Sequence, residues 1–389
     1  MGVFTEYMGK MSDPNFKIEV ERKNQLLRIS KLRGNRAILA YASALNKPGP
    51  IAIDYDDRLP IFDQLSNLKG EEIDIILETP GGYAEVAEDI VKIIRKRFSK
   101  VGMIIPSYAK SAGTIMVMGG DEILMQPTSA LGPIDAQVFQ AGKRYSANAF
   151  LKGFEKIKEN ANAAGRLNLA YVPILQMISP GEIQSCENAL KLAEDLVTKW
   201  LWKYKFKFWD THSSTGESVT EEEKEKRAND IARILCGHDV EKFNWLSHGR
   251  SITIDDLIEM RLKVTDYSKM PELFDAINRY YTLLIMTFNT SDIIKIIETP
   301  NSQIYKRIYI PSQQVLAKPQ PDLLMGHVDC PKCKTKTLIQ INFRENLPIN
   351  PGAVPFPKDN EFICPSCKEK INLTDLRIEI ERKHNKKIV

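Results

Sequence analysis

The chain has 389 residues, 43% of them hydrophobic, and a formal net charge of only +4. That is enough apolar material for one large domain plus a small one, or two of moderate size, and too little charge for a polyelectrolyte role. The longest apolar run, Tyr280 to Phe288, falls far short of the roughly 18 residues that span a bilayer, and the N-terminus has no signal-peptide core, so a soluble cytoplasmic protein without a membrane span is expected.

Residues 1–20 read as a loosely attached arm, and Lys23 to Arg36 as a basic helix. Arg36 to Tyr41 and Pro50 to Asp54 are expected to be strands. Asp57 to Leu68 is expected to be a helix with Leu59, Ile61, Phe62 and Leu65 inward. Glu72 to Glu78 and Val101 to Ile105 read as strands. Between them, Val86, Ile90, Val91, Ile94 and Phe98 recur at helical period. This alternation predicts an α/β fold, a parallel sheet with helical crossovers. Beyond Gln137 the pattern turns helical: Ser146 to Asn162, Ile183 to Phe208, Asn229 to Leu235 and Met270 to Ile297. The stripe Leu190, Leu192, Leu196, Trp200, Leu201 and Tyr204 reads as core. Thr299 to Pro321, rich in Pro, Gln and Ser, reads as a linker.

Two corners carry the chemistry. The first strand ends in Thr79-Pro80-Gly81-Gly82, a turn that leaves backbone N–H groups free to point at a ligand. The second stops at Pro106 and leads through a polar turn to Ser111-Ala112-Gly113 at a helix start. Ser111 is there either a helix N-cap or a nucleophile mount. Side by side, one corner offers an oxyanion hole and the other a serine, as acyl transfer requires.

The pair TPGG and KSAGT, followed by DEILMQPTSALGPIDAQ, resembles the superfamily of the Clp protease proteolytic subunit and signal peptide peptidase. It is most similar to the serine dehydrogenase proteinase family. The resemblance runs from about Asn24 to about Phe288 and is dense between Ile51 and Gln137. It implies a ClpP/crotonase fold, Ser111 as nucleophile, an oxyanion hole from the Gly82 and Ala112 amides beside Gly81, and assembly into a homo-oligomer. Two departures stand out. No His lies between Ser111 and His212, so the Clp-type triad order is absent, and Arg261-Leu262 replaces a Gly-Leu pair.

A serine needs a base within hydrogen-bond reach. The signal peptide peptidase branch uses a lysine, and Lys143, Lys152, Lys156 and Lys158 lie at plausible distance. Lys152, with Leu151 and Phe154 nearby, has the most apolar setting. Burial there would lower its pKa, whereas a snorkelling surface lysine is the alternative. His248 is the other candidate base, at the position of the Clp-type third member. Gly249 follows it where the related family has Asp, which leaves Asp239 or Asp135 to orient it. Lys110 adjoins Ser111, and neighbouring side chains at a turn point apart.

Near the C-terminus, Cys330-Pro-Lys-Cys333 and Cys364-Pro-Ser-Cys367 are two knuckles whose four thiolates suit a structural Zn in a ribbon with strands at Leu338–Ile341 and Phe362–Ile363. His327 is a spare. From His327 onward twelve Lys and Arg face eight Asp and Glu, so nucleic acid is a possible partner of this module. Cys186 and Cys236 stand alone. The expected organisation is an arm (1–23), a peptidase domain (24–298), a linker (299–325) and a zinc ribbon (326–389). The expected function is hydrolysis of peptide or protein substrates through a Ser111 acyl-enzyme. The alternatives are a silent ClpP-fold scaffold that uses the ribbon to bind protein or nucleic acid, and a crotonase-type acyl-CoA enzyme.

Overall fold

A computed structural model describes residues 2–140, 143–212, 215–237, 243, 245, 247–308, 322–384 and 386–389. Asp239, the Lys143 side chain and residues 309–321 of the expected linker lie outside the described residues. The chain divides into two compact units, Met1–Ile308 and Tyr309–Val389.

The first unit is built on seven strands: Ala37–Ser43 (β1), Glu72–Glu78 (β2), Lys100–Ile105 (β3), Glu122–Met125 (β4), Thr265–Asp266 (β5), Ile293–Glu298 (β6) and Gln303–Arg307 (β7). Their order across the sheet is β7-β6-β1-β2-β3-β4-β5. The five strands from β1 to β5 run parallel, and β6 and β7 close one side as antiparallel neighbours. Alternate residues of each strand feed opposite faces. Leu39, Tyr41, Ile73, Ile75, Leu77, Met103 and Ile105 pack under helices Ala84–Arg97 (α1), Ala112–Met118 (α2), Pro180–Trp200 (α3) and Glu221–Leu235 (α4). Ile38, Ala40, Ala42, Ile76, Ile104 and Ile296 face helices Ile18–Leu32 and Pro271–Thr290.

Several expectations change. The N-terminal segment is no loose arm: Val3–Lys10 is a helix whose Tyr7 is buried against Leu283 and Met286. The helical reading of Met270 to Ile297 stops at Thr290, because the β-branched run Ile293-Ile-Lys-Ile-Ile297 pairs with β1. Gln303–Arg307, expected in the linker, is the outer strand beside it. Pro50 to Asp54 is not a strand; it makes one parallel bridge, Ile53 to Gly82. In the helix Arg58–Ser66, Ile61 and Leu65 point inward, but Leu59 and Phe62 are 74% and 56% exposed. The helix expected at Asn229 to Leu235 begins earlier, at Glu221, where the Thr220 hydroxyl accepts from Glu223 N–H and Glu223 caps it in return.

In the second unit, Leu323–Asp329, Lys336–Asn342 and Val354–Pro355 form one sheet and Glu361–Ile363 pairs with Lys370–Asn372. Val328, Ile339, Ile341, Phe356, Phe362, Leu373 and Ile388 make its small core.

Candidate active site

Ser111 stands where the chain turns from the short strand Tyr108–Ala109 into α2. Its backbone has φ 51° and ψ −119°, and its side chain makes no capping hydrogen bond, so the plain N-cap reading fails. Positive φ costs a residue with a Cβ, and the left-handed helical region lies near ψ of about +47°, far from this value. A strained non-glycine residue of this kind persists only where its surroundings over-determine it. The surroundings here are specific. Gly113 N–H donates to the Lys110 carbonyl at 2.8 Å, and Ile115 N–H to the Ser111 carbonyl at 3.1 Å. Thr114 Oγ1, fully buried, accepts from Gly132 N–H at 3.0 Å and lies 2.8 Å from the Ala109 carbonyl oxygen.

The diglycine corner is stitched to the serine corner. Thr79 N–H donates to the Tyr108 carbonyl at 2.9 Å, and Lys110 N–H returns to the Thr79 carbonyl at 3.1 Å. Gly81 has φ 100°, and a Cβ there would lie 2.6 Å from Ser111 Cβ. Only glycine lets the two turns approach this closely. The Gly81 N–H is taken by Thr79 Oγ1 at 3.2 Å, so Gly81 serves by its shape rather than as a donor. The Gly82 and Ala112 N–H groups donate to no protein group among the described residues. Ala112 is free because it opens a helix, where the first N–H groups lack intrahelical acceptors.

Ser111 Oγ itself has no hydrogen-bond partner among the described residues. The two expected bases sit differently. Lys152 is exposed on the helix Ala147–Ala164, so the expected burial of this lysine is not seen in this chain alone. His248 is partly buried, and its Nδ1 lies 2.6 Å from Asp135 Oδ1. Among the described residues Asp135 is the carboxylate that meets this ring. The imidazole segment runs along the serine corner: Leu131 and Ile252 exchange both backbone hydrogen bonds. Lys110 Nζ donates to the Arg250 carbonyl at 3.1 Å and lies 3.0 Å from Ser251 Oγ. Burial lowers the pKa of this lysine. So Lys110, read as pointing away, ties the turn bearing Ser111 to the loop bearing His248. Arg261 takes the positive φ, 60°, that the missing glycine would favour, and the helix Ile254–Glu259 still closes with Leu262 N–H on the Leu257 carbonyl.

The four ribbon cysteines converge. Their sulfurs all lie within 4.8 Å of one another, with Cys330 and Cys367 at 3.5 Å and Cys333 and Cys364 at 3.6 Å. Four thiolates at Zn–S distances of about 2.3 Å in a tetrahedron stand roughly 3.8 Å apart, so the set fits such an ion. The two knuckles are folded alike. Lys334 and Lys368 have φ of 60° and 61°, and their N–H groups donate to the Cys330 and Cys364 carbonyls at 2.9 and 3.0 Å. His327 sits on the strand Leu323–Asp329 outside this cluster. Lys332, Lys336 and Lys370, three of the twelve cations of this module, pair with Glu369, Asp329 and Glu361.

Sequence reasoning missed one buried group beneath the diglycine corner: Lys295, 1% exposed at its side chain, against Asp57, 0% exposed. The signal was present, as Lys295 is the lone charge inside the run Ile293 to Ile297.

Comparison with known proteins bears on the first unit. Two uncharacterized proteins of Methanocaldococcus jannaschii are 34% identical over 87 residues and 35% identical over 88 residues. These alignments cover 22% and 23% of this chain and 30% and 29% of the relatives, so the chain spans under a third of the length of the curated relatives it matches. Among solved structures, a serine-to-alanine mutant of the 1510-N membrane-bound stomatin-specific protease is 23% identical, at a TM-score of 0.22, covering 37% of this chain and 80% of that one. A lysine-to-alanine mutant of the 1510-N protease, bound to a substrate peptide, is 28% identical, at a TM-score of 0.21, covering 29% and 54%. Among the described residues no helix is long and apolar enough to cross a membrane. Residues 53–178, which hold the diglycine, Ser111 and Asp135, match the family described as ClpP-like SDH-type serine proteinase.

Proposed function

We propose that this chain is a serine peptidase that cleaves peptide bonds through an acyl-enzyme on Ser111. The observation that carries the reading is the strained, uncapped Ser111 backbone, pressed against a glycine that admits no side chain. In this scheme Ser111 Oγ attacks the scissile carbonyl carbon as its proton passes to a base. The carbonyl oxygen, now negative, accepts from the Gly82 and Ala112 N–H groups. The C–N bond then breaks, the base returns the proton to the leaving amine, and water hydrolyses the ester by the same route.

Two groups compete for the base. Lys152 serves if assembly into a homo-oligomer buries it and lowers its pKa. His248 serves through Nε2, since a proton on Nδ1 would be donated to Asp135. The test is labelling by a fluorophosphonate probe, followed by mass spectrometry of the modified residue. The parent should be labelled at Ser111 and Ser111→Ala should not. Lys152→Ala and His248→Ala then separate the bases: the true base lowers labelling by about 10²-fold or more, the other leaves it near parental. Equal cleavage by Ser111→Ala would end the proposal.

A second reading, a catalytically silent scaffold, is favoured by one fact: no described side chain hydrogen-bonds Ser111 Oγ. In that case the parent stays unlabelled in every oligomeric state. The Cys330, Cys333, Cys364 and Cys367 cluster is proposed to bind one structural Zn, which supplies folding energy to its own unit and takes no part in cleavage.

A further inference from the structure

The diglycine corner owes its position in part to Lys295, which lies outside the segment that matches the proteinase family. Gly81 and Tyr83 are both held by Ile53. Its N–H donates to the Gly81 carbonyl at 2.7 Å, and its carbonyl accepts from Tyr83 N–H at 3.1 Å. A Cβ on Gly82 would lie 2.2 Å from the Ile53 carbonyl oxygen, so the bracket is closed tightly around Gly82. Ile53 belongs to no regular element and makes a single bridge, so sheet pairing cannot hold it.

It is held instead from both sides by one buried ion pair. Lys295 Nζ donates to the Ala52 carbonyl at 2.5 Å and to Asp57 Oδ2 at 2.7 Å. The same Oδ2 accepts from Asp54 N–H at 2.9 Å and from Tyr41 OH at 2.7 Å. Lys306 Nζ lies 2.7 Å from Asp57 Oδ1. Ala52 and Asp54, the two neighbours of Ile53, are therefore both fastened to the Lys295–Asp57 pair. Lys295 projects from β6, which is paired on both sides, and so ties the loop to the sheet. A buried pair is weak as a source of stability, because desolvating both charges offsets their attraction. Its value lies in what its fixed geometry orients.

We propose that the Lys295–Asp57 pair is a positioning device that sets the Gly82 amide at the oxyanion site, acting through Ala52, Ile53 and Asp54. The catalytic half of this inference rests on the peptidase reading; the structural half does not.

The test uses the full chain with Lys295→Met, which keeps the apolar stem and removes the ammonium. Amide hydrogen exchange is followed residue by residue. Ile53 and Tyr83 should exchange at least about 10-fold faster than in the parent, while Ile75 and Met103 in the sheet stay at parental rates. Cleavage and probe labelling should fall about 10²-fold in kcat with KM near parental, as expected when an oxyanion donor shifts by about 1 Å. Should the single variant fail to fold, Lys295→Met with Asp57→Asn removes both charges and is read the same way. Parental exchange at Ile53 and Tyr83 in whichever variant folds overturns the proposal, as does a loss confined to KM. Faster exchange in a protein whose parent never labels would sink the peptidase reading and leave the positioning role standing.

Discussion

The serine corner and the cysteine knuckles both bend a residue with a Cβ to positive φ, but they hold the bend differently. At Lys334 and Lys368 it is closed locally: each N–H returns to the carbonyl of the cysteine four residues back, and the same turn appears twice. At Ser111 local hydrogen bonds are joined by contacts from elsewhere: Gly81 and Thr79 reach it from the diglycine corner, and the buried Thr114 ties its turn to Gly132. Local closure suits a ligand that itself supplies the binding energy. External closure suits a side chain that must stay unengaged until a substrate arrives.

The largest expected effect breaks the knuckles. Metal removal should leave four thiolates crowded around nothing, and a unit with seven buried apolar residues in its core has little else to hold it. Structural Zn contributes about 10–16 kcal/mol in small zinc-finger peptides. Chelation should therefore release one Zn per chain and make residues 322–389 sensitive to protease. All four tryptophans lie in the other unit, at 200, 202, 209 and 245, so the fluorescence-monitored urea transition should stay put. A chain that binds no metal, or resists protease after chelation, contradicts the assignment.

Next in size is the serine. Ser111→Gly should lower cleavage by about 10³-fold or more, near 4 kcal/mol of barrier, by removing the nucleophile. The same change relaxes φ 51°, so it should stabilise the first unit by about 1–3 kcal/mol in urea melts. Ser111→Ala should lose activity without that gain. If both variants melt alike, the backbone strain at Ser111 is not stored energy, and the contrast with the knuckles fails.

Much of this was legible in the sequence because the signals are local. Pro-Gly-Gly after an apolar run, Ser-Ala-Gly after another, and two CPxC knuckles each specify a turn within a few residues. What stayed hidden is contact between distant segments. Nothing near Pro50 says that Ile53 will bridge only to Gly82, or that Lys295 will reach Ala52. Leu59 and Phe62 share an apolar pattern with Ile61 and Leu65, yet periodicity alone cannot say which of them finds a partner. His248 was visible as a candidate, but its pairing with Asp135 needed the fold to bring together residues 113 apart in sequence.

A third effect is graded by pH and again separates the two regions. Glu78 ends β2 just before the diglycine, 1% exposed, and burial pushes its pKa up to about 8. It accepts from Tyr108 N–H at 3.0 Å, which only partly offsets the burial. The unfolded chain releases this proton near the ordinary carboxylate value of 4.5. Between about 4.5 and about 8 the folded state therefore holds more protons, and stability must fall as pH rises through that window. The slope from this group is at most about 1.4 kcal/mol per pH unit. Urea midpoints read by tryptophan fluorescence should decline from pH 5 to pH 8, and Glu78→Gln should flatten the decline. An unchanged slope in Glu78→Gln would move the effect to another group.

The smallest effect sharpens the idea of local closure. Arg261 and Lys334 both sit at φ 60° in turns closed by their own backbone, one ending the helix Ile254–Glu259, the other behind Cys333. Glycine at either place should relieve the Cβ clash, worth about 1–2 kcal/mol, less the entropy that glycine adds to the unfolded chain. A net gain of roughly 0.5–1 kcal/mol is expected for Arg261→Gly in the tryptophan-reported transition. Lys334→Gly should leave that transition alone and slow metal loss to a competing chelator. Neither should change labelling of Ser111, since each turn is closed by its own backbone. Were Arg261→Gly to alter the labelling rate, the helix end would have to be coupled to the loop carrying His248, and its bend would belong with Ser111 rather than with the knuckles.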